Sequence, residues 1–288
     1  MSTKKVTVKT FFNSKKNQEK IAVLTAYDYS TAKYFDDAGV DAILVGDSLG
    51  MVVLGYENTQ QVTMDEMKIF TGAVARGVRR AMVIADMPFL AAGVSISDAI
   101  RNAGDLIRAG AYAVKIEGGD DYTVELVKRL SGVGIPVVAH LGFTPQFINI
   151  FGGYNVQLKT SEQTQKTLAQ AKKLQEAGAF ALVLEMVPEE SAKYITENLS
   201  IPTIGIGAGR FCDGQVLVSD DILGKYSDFA PKFSKKYADL KSIIFEAGEK
   251  YTQEVKSGEF PTEEHIFSLN PEEKEKLNDK AGKVYSRT

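Results

Sequence analysis

Five apolar runs of strand length along this chain of 288 residues end in groups able to do chemistry. Ala42-Ile43-Leu44-Val45 runs into Gly46-Asp47-Ser48-Leu49-Gly50, and Met82-Val83-Ile84-Ala85 runs into Asp86. Val114-Lys115-Ile116-Glu117 carries an ammonium and a carboxylate, Val138-Ala139 meets His140, and Leu182-Val183-Leu184 meets Glu185. Three carboxylates brought together, as Asp47, Asp86 and Glu117 would be, repel one another unless a cation sits among them. Oxygen donors without clustered His or Cys suit Mg²⁺, which keeps positions for water or substrate. Lys115 stands two residues before Glu117, so strand alternation puts both side chains on one face. An ammonium there can hold a substrate carboxylate or keto oxygen. Glu185 lies among apolar neighbours, surroundings that favour the protonated acid and so suit a general base. His140 reads equally as an acid/base group or as one that orients a neighbour, whereas His265 has no such setting. Any one of these charges alone would be a cap or a surface charge. Their recurrence at strand ends is what points to a site.

Such convergence needs strands that share one rim. The runs are apolar on both faces, as in a parallel sheet covered by helices. Strands are expected at Ile21–Tyr27, Ala42–Val45, Met82–Asp86, Tyr112–Glu117, Val137–Leu141, Ala181–Met186, Thr203–Gly207 and Val216–Val218. Helices are expected at Thr31–Ala38 after a Ser30 cap, Met64–Arg80, Asp98–Ala109 after Ser97, Tyr122–Leu130, Glu162–Ala177 and Glu189–Asn198. Only the link between the last two strands is too short for a helix. Eightfold alternation of strand and helix predicts a closed (β/α)₈ TIM barrel, with an open doubly wound sheet as the alternative. A helix over Val8–Gln18 is expected to close the barrel bottom. Leu240, Ile243, Ile244, Ala247, Tyr251 and Val255 form one helical stripe, read as the last barrel helix. The barrel is thus drawn over 1–267 as one catalytic domain, and 268–288 as a charged tail. Two long loops, 49–61 and 142–160, follow strands at the rim, and the second, aromatic and Gly-rich, suits a mobile lid.

Composition narrows the field. A formal net charge of −3 without a basic domain argues against a nucleic-acid partner. No apolar run approaches the ~20 residues of a membrane span. The single cysteine, Cys212, forbids an intrachain disulfide, fits a reducing compartment and reads as structural. The Lys-rich start is read as the short helix rather than as a transit peptide, which favours the cytoplasm and leaves organellar import open. Gly205-Ile206-Gly207-Ala208-Gly209 mimics a dinucleotide loop, but the helix it should open is missing, so close backbone contact at the rim is the better account.

Longer motifs then carry a resemblance. Thr25-Ala26-Tyr27-Asp28, Val45–Gly50, Lys115-Ile116-Glu117-Gly118-Gly119 and His140-Leu141-Gly142-Phe143-Thr144-Pro145-Gln146 occur in this order. Phe151-Gly152-Gly153-Tyr154, Leu184-Glu185, Gly205–Gly209 with Cys212-Asp213-Gly214-Gln215, and Pro231-Lys232-Phe233 follow. Together, over about residues 7–267, they resemble the ketopantoate hydroxymethyltransferases. The resemblance implies a barrel of the phosphoenolpyruvate/pyruvate-binding type. It implies hydroxymethyl transfer from 5,10-methylenetetrahydrofolate to α-ketoisovalerate (3-methyl-2-oxobutanoate), giving ketopantoate (2-dehydropantoate) for pantothenate and coenzyme A synthesis. It places one Mg²⁺ per subunit on Asp47, Asp86 and Glu117, substrate contacts on Asp47, Ser48, Asp86 and Lys115, and the proton acceptor on Glu185. It also implies a homo-oligomer, commonly a decamer. This chain departs from the pattern at Leu158-Lys159, where the family usually has Gly and a basic residue, and in its long tail. Two competing readings are a carbon–carbon lyase of the same superfamily, which commonly carries a reactive Cys loop at the rim, and a barrel that serves only as a scaffold.

Overall fold

The computed structural model describes residues 4–225 and 231–284. Eight strands form a closed, all-parallel barrel in sequence order. They are β1 (Ile21–Thr25), β2 (Ala42–Val45), β3 (Met82–Asp86), β4 (Ala113–Glu117), β5 (Val137–Gly142), β6 (Ala179–Glu185), β7 (Thr203–Ile206) and β8 (Gly214–Leu217). β8 returns to pair with β1, Ile21 opposite Gly214, and leaves no sheet edge. The strands are apolar throughout because both faces are covered. One set of side chains packs outward on the helices, and the other fills the barrel interior, where Val23, Leu44, Met82, Ile84, Ala113, Val138, Ala181, Val183, Ile204 and Val216 form one buried cluster. Continuing the inward rows by two residues leads from Ile84 to Asp86, from Ala113 to Lys115 and Glu117, from Val138 to His140 and from Val183 to Glu185. The apolar filling of the barrel thus gives way to ionisable groups at its C-terminal rim.

Among the described residues six helices of nine residues or more connect the strands: Tyr29–Ala38, Met64–Gly77, Ile96–Ala109, Asp121–Gly132, Ser161–Glu176 and Glu189–Glu197. The first and third begin earlier than the sequence reading placed them. The caps are Asp28, whose carboxylate accepts the Thr31 N–H at 2.9 Å, and Ser95, whose hydroxyl accepts the Asp98 N–H at 3.0 Å. The second stops at Gly77 rather than Arg80. There the buried Asp36 carboxylate accepts the N–H groups of Arg79, Arg80 and Ala81 at 2.8, 3.1 and 2.6 Å and draws the chain out of the helix. As expected, no helix lies between β7 and β8.

The helix Val8–Asn17 closes the barrel bottom as expected. Its Phe11 is buried within the interior cluster and meets Phe180 edge-on at 5.5 Å. Lys15 donates to the Asp213 carboxylate at 2.8 Å and to the Thr196 carbonyl at 3.0 Å.

The chain divides into two compact units, Met1–Ala238 and Asp239–Thr288, whereas the sequence reading drew its division after residue 267. The helix Leu240–Ser257, read as the last barrel helix, therefore belongs to the second unit. It has no buried residue, and Ile243, Ile244, Tyr251 and Val255 of its stripe are exposed. Within that unit, Phe260 packs against Tyr251 and His265 at 5.7 and 5.0 Å, and a helix spans Pro271–Val284. Residues 285–288 of the tail lie outside the described residues. Among the described residues no helix is long and apolar enough to cross a membrane.

Candidate active site

Asp86, Lys115, Glu117, His140 and Glu185 form one contiguous chain of side chains across the rim of β3 to β6. The Lys115 ammonium lies at its centre, 3.1 Å from Asp86 Oδ1, 3.9 Å from Glu117 Oε1 and 3.2 Å from His140 Nδ1. An ammonium only donates, so His140 Nδ1 accepts. Burial and the neighbouring Lys115 charge push His140 down, which keeps the ring neutral. Its one proton is then on Nε2, which faces Glu185 Oε2 at 3.4 Å. Glu185 was expected to stand apart among apolar groups. Its backbone neighbours are apolar, but its carboxylate turns inward with the alternation of β6 and meets His140.

Asp47 joins from β2. It lies one residue past the inward row, after Gly46, and its N–H donates to Asp86 Oδ2 at 3.0 Å. Ser48 is held by Tyr27 at the end of β1, with the two hydroxyl oxygens 2.8 Å apart. All the residues singled out in the sequence for metal, substrate and proton therefore meet at one rim. Residues that sequence reasoning left without a role join them. Gln146 Nε2 donates to Asp47 Oδ2 at 2.8 Å, and its backbone N–H donates to Glu117 Oε2 at 3.0 Å. The Thr144-Pro145-Gln146 motif was the available signal. Gly142, at φ +98°, lets the chain leaving β5 pass so close to β6 that a Cβ would lie 2.4 Å from the Glu185 carbonyl oxygen. That same carbonyl accepts the Phe143 N–H at 2.8 Å.

Three carboxylates face one ammonium in a buried setting, and the electrostatics register the shortage of positive charge. Burial, reinforced by Asp86 and Glu117, pushes Asp47 well above the usual carboxylate range. Burial also raises Asp86, against the pull of Lys115, and pushes Glu117 up to about 7. Burial alone would lower Lys115, but Asp86, Glu117 and Asp47 outweigh it and raise the ammonium. Glu117 Oε1 is buried and accepts no hydrogen bond, while Asp86 Oδ1 faces only the Lys115 ammonium at 3.1 Å. This all-oxygen donor set, with Glu117 Oε1 left without a hydrogen bond, fits a hard divalent cation. Among the described residues no finished cage of three such groups is assembled. Lys115 and the Gln146 amide stand between the carboxylates instead.

The two long rim loops lie over this cluster's edge and are tied together. Gln60 donates to the Gln146 carbonyl at 2.8 Å and accepts from Asn149 at 3.1 Å, while the Tyr154 hydroxyl reaches Met51 Sδ at 3.5 Å. Phe143 anchors the second loop beneath Phe151 and Tyr154, with ring centroids 5.4 and 5.3 Å away. Cys212 is fully buried, and burial pushes its thiol up, so it offers no reactive rim thiolate. Gly205–Gly209 opens no helix, and a Cβ at Gly207 would meet the Phe233 ring at 2.6 Å, which makes that stretch a close-contact segment.

The family model described as ketopantoate hydroxymethyltransferase matches residues 5–263. A 3-methyl-2-oxobutanoate hydroxymethyltransferase of Caldicellulosiruptor saccharolyticus is 55% identical over 263 residues, which are 91% of this chain and 99% of that one. The enzyme of the same name from Clostridium novyi is 53% identical over 274 residues, covering 95% and 99% of the two chains. Among solved structures, 2,3-dimethylmalate lyase, of the PEP mutase/isocitrate lyase superfamily, superposes with a TM-score of 0.57 at 15% identity. That likeness covers 95% of this chain and 98% of the other and shows the shared barrel alone. The chain belongs to the ketopantoate hydroxymethyltransferase family.

Proposed function

We propose that this chain transfers a hydroxymethyl group from 5,10-methylenetetrahydrofolate to 3-methyl-2-oxobutanoate, forming 2-dehydropantoate for pantothenate and coenzyme A synthesis. The observation that carries the reading is the continuous line Glu185–His140–Lys115 ending on Asp86 and Glu117. It sets a proton acceptor at one end of the rim and an electropositive anchor within a carboxylate cluster at the other. Asp47, Asp86 and Glu117 would hold one Mg²⁺ per subunit, which when bound supplies Lewis-acid stabilisation of negative charge on a keto oxygen. Asp47, Ser48, Asp86 and Lys115 contact the keto acid, and Lys115 is the one permanent positive charge available to an anionic substrate there. Glu185 removes the proton on the carbon next to the ketone. His140 Nε2, 3.4 Å from Glu185 Oε2 and without another hydrogen-bond partner, is placed to donate to that carboxylate and orient it. The resulting enolate carbon bonds to the methylene carbon of the folate as one of its two C–N bonds breaks; the second C–N bond then gives way to one water molecule, which supplies the hydroxyl and releases tetrahydrofolate with 2-dehydropantoate. The reaction runs in the cytoplasm, in a homo-oligomer that we place at a decamer. Static light scattering at micromolar concentration should give a mass well above a dimer, and a monomer mass would refute the assembly. A carbon–carbon lyase reading gains nothing here, because the only cysteine is buried and far from thiolate character.

The test is proton exchange without folate. Incubated in deuterium oxide with Mg²⁺ and 3-methyl-2-oxobutanoate, the protein should exchange the substrate's C3 proton, read by loss of its NMR signal. EDTA should abolish the exchange and Mg²⁺ restore it. Exchange at full rate in a rigorously metal-free sample would sink the metal assignment, and no exchange under any condition would sink the enolate route.

A further inference from the structure

We infer that Gln146 is a positioning residue for the carboxylate cluster, holding one oxygen of Asp47 and one of Glu117 so that their other oxygens turn toward the cation. The inference rests on the cation reading above and adds to it a residue that touches neither substrate nor metal. The geometry is specific. Both amide protons of Gln146 Nε2 are committed, one to Asp47 Oδ2 at 2.8 Å and one to the Met87 carbonyl at 2.9 Å. Its backbone N–H is committed to Glu117 Oε2 at 3.0 Å, and its carbonyl accepts from Gln60 at 2.8 Å. One residue from the loop after β5 thereby bridges the ends of β2, β3 and β4. The amide cannot flip, because that would set its oxygen against two acceptors. With Asp47 Oδ2 and Glu117 Oε2 so occupied, Asp47 Oδ1 and Glu117 Oε1 are left for a cation. Glu117 Oε1 is buried and accepts no hydrogen bond, and the nearby Asp86 Oδ1 meets only the Lys115 ammonium at 3.1 Å. A side chain that orients a ligating carboxylate typically affects metal affinity by about 10–100-fold.

The opposite role would give a different signature. If the amide merely fills the place a cation would take on Asp47, removing it should tighten metal binding. Mn²⁺ titration of the full chain, read by the electron paramagnetic resonance of free Mn²⁺, separates the two. Gln146→Ala and Gln146→Met both delete the donor, and Met keeps the volume should Ala disturb the fold. Both should raise the Mn²⁺ dissociation constant by about 10–100-fold. Saturating metal should restore most of the maximal rate of C3-proton exchange, since the amide does not touch the reacting atoms. Unchanged or tighter Mn²⁺ binding in both variants overturns the inference while the cation reading stands. An exchange rate that stays low at saturating metal overturns it in favour of a direct catalytic role. A wild-type chain that binds no Mn²⁺ overturns the cation reading and this inference with it.

Discussion

Lys115 is the pivot of the site because it is the one cation that three buried carboxylates share, and it also fixes the tautomer of His140. That makes Glu185 the residue whose removal is most informative. Glu185→Gln keeps shape and most hydrogen-bonding capacity but cannot take a proton. Turnover and folate-independent exchange should both fall by roughly 10²–10⁴-fold. Isothermal titration should still show binding of Mg²⁺ and 3-methyl-2-oxobutanoate, whose contacts lie on other strands. Persisting exchange with lost turnover would move Glu185 to the folate step. Lost keto-acid binding would make it a structural group. Asp86, Lys115, Glu117 and Glu185 were legible in the sequence because a residue two past a buried apolar position shares its face. The same rule carries Val138 to His140, whose orienting place between Lys115 and Glu185 only the fold could settle. Gln146 and Tyr27 escaped a functional reading because their partners, Asp47 and Ser48, lie 99 and 21 residues away and no local pattern encodes that proximity.

At the scale of elements, the strands and connecting helices were legible because burial on both faces and amphipathic periodicity are local signals. Their ends were less so. Ser30 and Ser97 looked like caps by residue type, yet Asp28 and Ser95 take the role, since either residue type can serve and tertiary contacts choose. The end of the 142–160 loop is the element with the sharpest consequence. Leu158 sits at φ +56°, a conformation that suits glycine, yet its side chain is buried in the main core. Leu158 thus trades backbone strain for an anchor that pins the loop where it rejoins the helix Ser161–Glu176. Leu158→Ala loses the buried side chain and keeps the strain, and should cost about 2–4 kcal/mol in urea unfolding. Leu158→Gly loses the same contacts but releases about 1–2 kcal/mol of left-handed strain. Glycine should therefore be the more stable of the two, and an alanine variant that matches or exceeds it would contradict the strain.

At the scale of the molecule, the division at 238/239 was hidden for a physical reason. An amphipathic stripe on Leu240–Ser257 announces a face of apolar side chains and says nothing of what covers it. The helix at the barrel bottom was legible as a short helix in a Lys-rich start, but the seat of Phe11 against Phe180 was not, because Phe180 lies far along the chain. Phe11→Ala should destabilise the barrel by about 3–5 kcal/mol in chemical denaturation, as loss of a fully buried aromatic does. A change below 1 kcal/mol would mean that the helix is not part of the folded core. The same plug constrains the protein's birth. Lys15 leaves the ribosome 198 residues ahead of Asp213, the carboxylate that receives it. At ~5–20 residues per second, Phe11 and Lys15 wait roughly 10–40 s for their seat to be made. The helix Val8–Asn17 is therefore made long before its seat exists, its apolar side open to chaperones or to neighbouring nascent chains until β8 closes on β1.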